Sequence, residues 1–389
     1  MVQGDRTREY PKPNLDKSDC SFIKEKIVFR FIFNEKRVYQ HWYTRFLICG
    51  GDLERIRRVV AKIKNWYEWC SEWSKEGESL ENLAHDSLSR GNTYSARWLF
   101  HEAAGCFHIG EHFFYIDYRQ KNKSQEKVRV NYKKALDLYS DEKKPVRIEI
   151  PFGNTVIPGY LRIAEQLKSP LILLINGMDN LKEVENHYWG NLLSDAGFNV
   201  YTFDGPGQGE MWKNMKFISD YEKVVTAIID WFNENDIYNI DFSRIGAVGF
   251  SLGGYLAPRA AAFDKRICCA VGNGGPAHLR GFSNEMKANP ILLKGLPYLT
   301  GAKSYKESLK QLHIDIKTAP PLDRPLLIFH SGKDRLIPHG REHADYFMEW
   351  AVGEKELKYY PDGEHICANY LDEVLPYITD WLKKHLMKQ

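Results

Sequence analysis

Ser251 stands in Gly249-Phe250-Ser251-Leu252-Gly253, between a short apolar run, 244–248, and a helix-like run, 255–263. A serine hydroxyl is a poor nucleophile at neutral pH and needs a base to take its proton as it attacks. A strand that turns sharply into a helix, with serine at the tip, is a nucleophile elbow. The turn is strained, so its neighbours two residues either side must be tiny, and both are glycine. It also aims the backbone N–H of Leu252 at the oxyanion that forms on an attacked carbonyl. With 29 glycines in 389 residues the pattern is weak alone. The reading therefore depends on an acid and a histidine that follow in order.

Both follow. The run 325–329 (Pro-Leu-Leu-Ile-Phe) reads as a buried parallel strand, and His330-Ser331-Gly332-Lys333-Asp334 leaves its end. Open sheets place chemistry at the carboxyl ends of their strands, so Asp334 is the expected acid. A second run, 356–360, is followed by Pro361-Asp362-Gly363-Glu364-His365. His365 is the expected base, which returns the proton to the leaving group. Asp334 would hold the imidazole tautomer and stabilise the imidazolium. Asp362 and Glu364 are rival acids, but neither ends a strand.

The second oxyanion donor belongs to the loop after an earlier central strand. The run 171–175 is such a strand, and Asn176-Gly177-Met178-Asp179 follows. Gly177 lets the backbone approach a substrate closely, and the N–H of Met178 is the expected donor. The next strand, 199–203, ends in Asp204-Gly-Pro-Gly-Gln-Gly-Glu210. That loop lacks the Lys-Ser/Thr of a phosphate-binding loop and its glycine spacing, so it reads as a structural turn beside the site.

His108-Ile-Gly-Glu111-His112 and His339-Gly-Arg-Glu342-His343 both match His-x-x-Glu-His, a zinc-peptidase pattern. Two matches in one chain show how permissive it is. Neither has a convincing third ligand downstream, and a complete serine triad leaves no task for zinc, so no metal and no cofactor are expected. The plain reading of His108 and His112 is a polar helix face. The alternative is that His101, His108 or His112 faces an interdomain pocket and binds substrate oxygens. His187 and Tyr188, shortly after the oxyanion loop, carry the same ambiguity.

The net charge is +3 and 43% of residues are hydrophobic. No basic run interleaves aromatics, so nucleic acid is not an expected partner. No stretch approaches the roughly 20 apolar residues of a membrane span, and residues 1–21 lack the apolar core of a secretory signal. The seven cysteines include no Cys-x-x-Cys and read as reduced thiols. The expected compartment is the cytoplasm.

From about residue 146, strand-like runs alternate with helix-like ones: 146–150, 156–163, 171–175, 199–203, 244–248, 266–271, 325–329 and 356–360. Crossover helices between them predict an α/β fold with a mostly parallel eight-stranded sheet covered on both faces. Before Pro145 the periodicity is helical: 53–73, 78–88, 94–114 and about 125–139, with breaks at Gly77, Gly91-Asn92 and Lys121-Asn-Lys-Ser. Five of the ten tryptophans precede residue 100. The expected division is an N-terminal helical cap domain, 1–140, and a catalytic domain, 141–389. The stretch 274–322 is too long for a bare loop and is expected to form a lid excursion or packed helices beside the site.

Asn176-Gly-Met-Asp-x-x-Lys-Glu, then Phe203-Asp-Gly-Pro-Gly-Gln-Gly-Glu, then Gly-Phe-Ser-Leu-Gly-Gly, behind a Trp-rich helical region, resembles one branch of the α/β-hydrolases. That branch holds 2,6-dihydroxypseudooxynicotine hydrolase, fungal polyketide-shortening hydrolases and esterase-like fermentation–respiration switch proteins. The resemblance covers most of the chain. It implies the α/β-hydrolase fold with an N-terminal cap, a Ser251-Asp334-His365 triad between two domains, no metal, and a homodimer. It also implies cleavage of a carbon–carbon bond next to a ketone, with an extra acidic residue holding substrate, for which Glu285 is the nearest candidate. The expected partner is a small aromatic or polyketide-like ketone or ester. The same machinery would serve an ester or thioester, and a catalytically silent binding protein is the reading from another class.

Overall fold

The computed structural model describes residues 44–47, 51–139, 144–235, 238, 240–280 and 289–387. Its centre is an eight-stranded sheet in the order β1-β2-β4-β3-β5-β6-β7-β8. The strands are β1 Val146–Phe152, β2 Thr155–Arg162, β3 Ser169–Ile175, β4 Asn199–Phe203, β5 Ile240–Phe250, β6 Ile267–Asn273, β7 Leu326–Ser331 and β8 Lys355–Tyr360. β2 pairs antiparallel with both β1 and β4, and every other pairing is parallel.

Successive residues of a strand face opposite sides of a sheet, and β3 shows what that requires. Leu171, Leu173 and Ile175 enter one core, together with Val225, Ile228 and Ile229 of the helix Glu222–Glu234 and Leu256 of the helix Leu252–Phe263. Ile172 and Leu174 enter the other, with Trp189 of Glu185–Asp195 and Trp381 of Leu371–Leu386. Both faces are covered, which is why β3 reads as a continuous apolar run.

The N-terminal helices are α1 Leu53–Val60, α2 Trp69–Ser89, α3 Thr93–Glu111 and α4 Tyr118–Leu136. The periodic run expected to be one helix over 53–73 is divided. Asn65 accepts the Tyr67 N–H through its side chain and starts a new turn. Gly77 does not break α2: a Cβ there would stand 2.9 Å from the Phe107 ring, so glycine lets α2 and α3 approach. Nor does Lys121-Asn-Lys-Ser interrupt α4, because Asp117 caps the helix and Lys121 turns inward. The Trp66, Trp69 and Trp73 rings pack in one cluster with Phe107, and with Leu181, Val184, Leu336 and Ile337 from the sheet region's loops.

The 274–322 stretch contains the helices Pro290–Thr300 and Tyr305–Leu312. Leu292, Leu296, Leu299 and Leu312 are buried in the sheet-side core. No helix among the described residues is long and apolar enough to cross a membrane.

Candidate active site

The chain leaves β3 toward β4 on one side and places β5 on the other, so the strand order reverses between β3 and β5. Ligands in open sheets bind in the crevice outside such a reversal, at the carboxyl ends of the strands. Two of the sequence motifs end there. Ser251 follows β5 at φ 57° and ψ −124°, outside the comfortable region for an L-residue, and starts the helix Leu252–Phe263. A Cβ on Gly249 would lie 1.9 Å from the Gly253 carbonyl oxygen, and one on Gly253 2.3 Å from that of Ile175. Those contacts are the physical reason for both glycines.

β7 and β8 bring the other two groups. His365 Nε2 lies 2.8 Å from Ser251 Oγ, and its Nδ1 lies 2.7 Å from Asp334 Oδ2. Asp334 Oδ1 accepts the N–H groups of Leu336 and Ile337, each at 2.8 Å, so the carboxylate is held from both ends. Burial works to raise its pKa, but the charge and hydrogen bond of His365 and the Ile337 N–H outweigh burial and hold it below the usual carboxylate range. The rival Asp362 is an exposed partner of Lys333.

The Gly177-Met178 loop packs tightly on the serine: a Cβ on Gly177 would stand 3.1 Å from both the Phe250 oxygen and Ser251 Cβ. The N–H of Leu252, first in its helix, has no acceptor within the helix and carries the positive end of its dipole. A buried polar lattice fixes the Met178 side. Gln208 donates to the carbonyls of Asn176 (2.9 Å) and Gly177 (2.8 Å), and Asn176 donates to Asp204 at 2.8 Å. Lys182 Nζ sits among Glu183 (2.6 Å), Asp204 (2.8 Å) and Glu210 (2.9 Å). The glycine-rich loop is therefore a brace for the Gly177-Met178 loop.

A family model described as the alpha/beta hydrolase family matches residues 172–374. The chain belongs to the alpha/beta hydrolase family. It is similar to 2,6-dihydropseudooxynicotine hydrolase of Paenarthrobacter nicotinovorans, with 29% identity over 81% of this chain and 83% of that one. It is also similar to 20-hydroxy-prefusarin hydrolase FUS2 of Gibberella moniliformis, 30% identical over 59% of this chain and 58% of the relative. Among solved structures, that of 2,6-dihydroxy-pseudo-oxynicotine hydrolase superposes with a TM-score of 0.79 and 25% identity. The match covers 89% of this chain and 96% of the other. The protein is thus an enzyme of the hydrolase class, in the branch that its Asn-Gly-Met-Asp and Asp-Gly-Pro-Gly-Gln-Gly-Glu strings resemble.

In this hydrolase a cavity opens beside Ser251, walled by Phe113 just beyond α3, by Met178 and Asp179, by Leu292, Leu296 and Leu299, and by Leu336 and Ile337. The wall is almost wholly apolar. His108, His112, His187 and Tyr188 do not line it. His108 and His112 are buried rather than on a polar face. His108 Nδ1 lies 2.8 Å from Glu111, and the buried His112 sits beside the backbone of Asp179, behind the Gly177-Met178 loop. His187 is in a knot with Tyr132 (2.8 Å) and Arg162 (2.9 Å), and Tyr188 is 41% exposed. Glu285 lies outside the described residues.

His108, Glu111 and His112 could in principle hold a metal, as could Glu183, Asp204 and Glu210. Each set already contains an ammonium: Lys121 at 2.5 Å from Glu111, and Lys182 among its three carboxylates. A lysine ammonium already stands among the candidate ligands of each set, which does not fit a metal site there. The second His-x-x-Glu-His match does not converge, since Glu342 is exposed while His343 is buried.

Sequence reasoning passed over Asp179, which lines the cavity, and Asn273 at the end of β6, which holds two of the turns. For Asp179 the available signal was its position beside Met178, the expected oxyanion donor. For Asn273 it was a polar residue ending the strand next to the elbow strand.

Proposed function

We propose that this enzyme is a serine hydrolase that cleaves a carbon–carbon bond adjacent to a ketone through an acyl-enzyme. The observation that carries the serine mechanism is the position of His365, within hydrogen-bond distance of both Ser251 Oγ and Asp334. In this reading Ser251 attacks the carbonyl as His365 takes its proton. The N–H groups of Leu252 and Met178 receive the oxyanion. The tetrahedral intermediate collapses, the leaving group departs as a carbanion or enolate, and His365 protonates it. Water activated by His365 then hydrolyses the acyl-enzyme.

The carbon–carbon reading is supported by the likeness to a hydrolase named for 2,6-dihydropseudooxynicotine over four-fifths of both chains, and by an apolar cavity suited to an aromatic or polyketide-like ketone. We read the helical region up to about residue 140 as a cap that supplies one wall through Phe113, and the chain as a homodimer. The free thiols of Cys70, Cys106, Cys268, Cys269 and Cys367 suit a reducing compartment, and we assign the cytoplasm on that ground.

The test is a paired assay. Wild type and Ser251→Ala are each given an aryl β-diketone and an aryl ester of the same acyl group, with products followed by mass spectrometry. Serine-dependent scission of the diketone is the expected result. Cleavage of the ester alone would overturn the carbon–carbon reading and leave an esterase. Activity untouched by Ser251→Ala would overturn the serine mechanism.

A further inference from the structure

In an otherwise apolar cavity wall, Asp179 is the acidic side chain, one residue beyond the Met178 donor and in the same cavity as Ser251. Its Oδ1 is shielded from solvent and meets no hydrogen-bond partner within the protein. Buried polar atoms are nearly always satisfied, and an exception at a ligand cavity points to a partner that arrives with the ligand. We propose that Asp179 binds the second carbonyl of a β-diketone substrate, donating its carboxyl O–H to the oxygen on which charge builds as the carbon–carbon bond breaks.

This rests on the carbon–carbon reading above and says what makes that bond breakable. The attacked carbonyl sits against the Leu252 and Met178 N–H groups. When the tetrahedral intermediate collapses, the electron pair of the carbon–carbon bond moves onto the second carbonyl as an enolate. That enolate oxygen needs a donor, and the carbon receives from His365 the proton taken from Ser251. An ester has no second carbonyl to use such a donor. The carboxyl must be neutral to donate, and its surroundings favour that. Burial and the Glu111 carboxylate hold Asp179 well above the usual carboxylate range, with Arg45 opposing them and Glu185 adding to the rise. A protonated aspartate held in an apolar site as an oxyanion donor is sound chemistry. Behind the loop, the buried His112 ring sits beside the Asp179 backbone, and Arg45 joins Asn180 (3.0 Å) to Glu185 (2.9 Å), so the neighbouring backbone is held from the helical side.

The experiment compares the full-length wild type, Asp179→Asn and Asp179→Leu on the aryl β-diketone and the matched aryl ester, reading kcat/KM for each. The expected result is a fall of about 10²-fold in the diketone-to-ester ratio for Asp179→Leu, partly restored in Asp179→Asn, whose amide still donates. Infrared spectra of the wild type should also show a protonated-carboxyl band that Asp179→Asn removes. If Asp179→Leu fails to fold, the isosteric Asp179→Asn and the infrared band decide the matter. A ratio within threefold of wild type in the folded variants, or no such band, overturns the role of Asp179. Wild type that turns over the ester alone overturns the carbon–carbon reading, and this role with it.

Discussion

The side-chain amide of Asn273 donates to the carbonyl oxygen of Ile366 at 2.9 Å. The Asn273 main-chain carbonyl accepts the Ser251 N–H at 2.8 Å. One residue at the end of β6 therefore ties the nucleophile's turn to the histidine's. Both turns are strained: Ser251 has φ 57°, and Ile366 and Cys367, just after His365, have φ 57° and 53°. Non-glycine residues persist there only when their surroundings over-determine them. Asn273→Ala should leave the Ile366 carbonyl unpaired, at a cost of about 1–3 kcal/mol, and should lower kcat on the order of 10²-fold as the imidazole drifts. Urea unfolding and steady-state kinetics would check both. An unchanged kcat would show that the His365 turn holds itself.

Ser251→Ala and His365→Ala should each lower kcat by on the order of 10⁴–10⁶ with the circular dichroism spectrum intact. Asp334→Asn should cost roughly 10⁴ by leaving the imidazole in the wrong tautomer. Asp362→Asn, which removes only an exposed partner of Lys333, should change kcat little. If Asp362→Asn proves the more damaging, the acid has been misassigned.

Gly249→Ala meets the Gly253 carbonyl oxygen at 1.9 Å, and Gly253→Ala meets that of Ile175 at 2.3 Å. Neither obstacle is a side chain that can swing away, so the elbow itself must shift. Each variant should lose about 4 kcal/mol or more and nearly all activity. Thermal melts would reveal it, and a wild-type Tm in either variant would contradict the packing described above.

Lys182 is fully buried among three carboxylates. Lys182→Met leaves those charges without their cation, and breaking a buried pair in this way costs about 3–5 kcal/mol. The double variant Lys182→Met with Asp204→Asn should be less unstable than the two single effects added together. Strict additivity in chemical denaturation would show that the pair is not coupled.

His343 is buried, and its Nδ1 accepts the Ala277 N–H at 3.2 Å. Burial, then the neighbouring His330 and His278, push its pKa down from 6.5 to about 3. The unfolded chain takes the proton first, so stability is full above about pH 6.5 and is lost as pH falls toward 3. In that window one such proton contributes about 1.4 kcal/mol per pH unit. His343→Gln should flatten the acid slope of unfolding free energy by up to that amount. A slope unchanged between pH 6 and about 4 would contradict a neutral His343.

The path from sequence to site was short where chemistry follows a strand. Ser251 and Asp334 each follow a compact apolar run that marks a buried parallel strand, while His365 follows β8, a half-exposed edge strand recognisable by its alternation and by the turn after it. Boundaries were less visible: β5 begins at Ile240, before the apolar run, because polar Asp241, Ser243 and Arg244 bond one another and a nearby carbonyl at the strand's N-terminal end. Gly77 and Lys121 looked like helix breakers because their reasons, the Phe107 ring and the Glu111 carboxylate, lie 30 and 10 positions away in the chain. His187 looked available to substrate until Tyr132 and Arg162 were seen to hold it. Asp179 and Asn273 went unread for the same reason, since each draws its meaning from what the fold lays beside it.

The Lys182 lattice also bears on how the enzyme comes to exist. Its members come from the loop after β3 and the loop after β4, and Arg147 of β1 joins at Glu210 with 3.0 Å and 2.9 Å contacts. A nascent chain that withdrew the ammonium from water before its carboxylates arrived, or the reverse, would strand a bare charge. Lys182, Glu183 and Asp204 must therefore be buried together, while Glu210 and Arg147 stay in contact with water at the rim. Gly177 and Met178 sit on the first of these loops, so the geometry beside Ser251 depends on a charge balance that neither loop can supply alone.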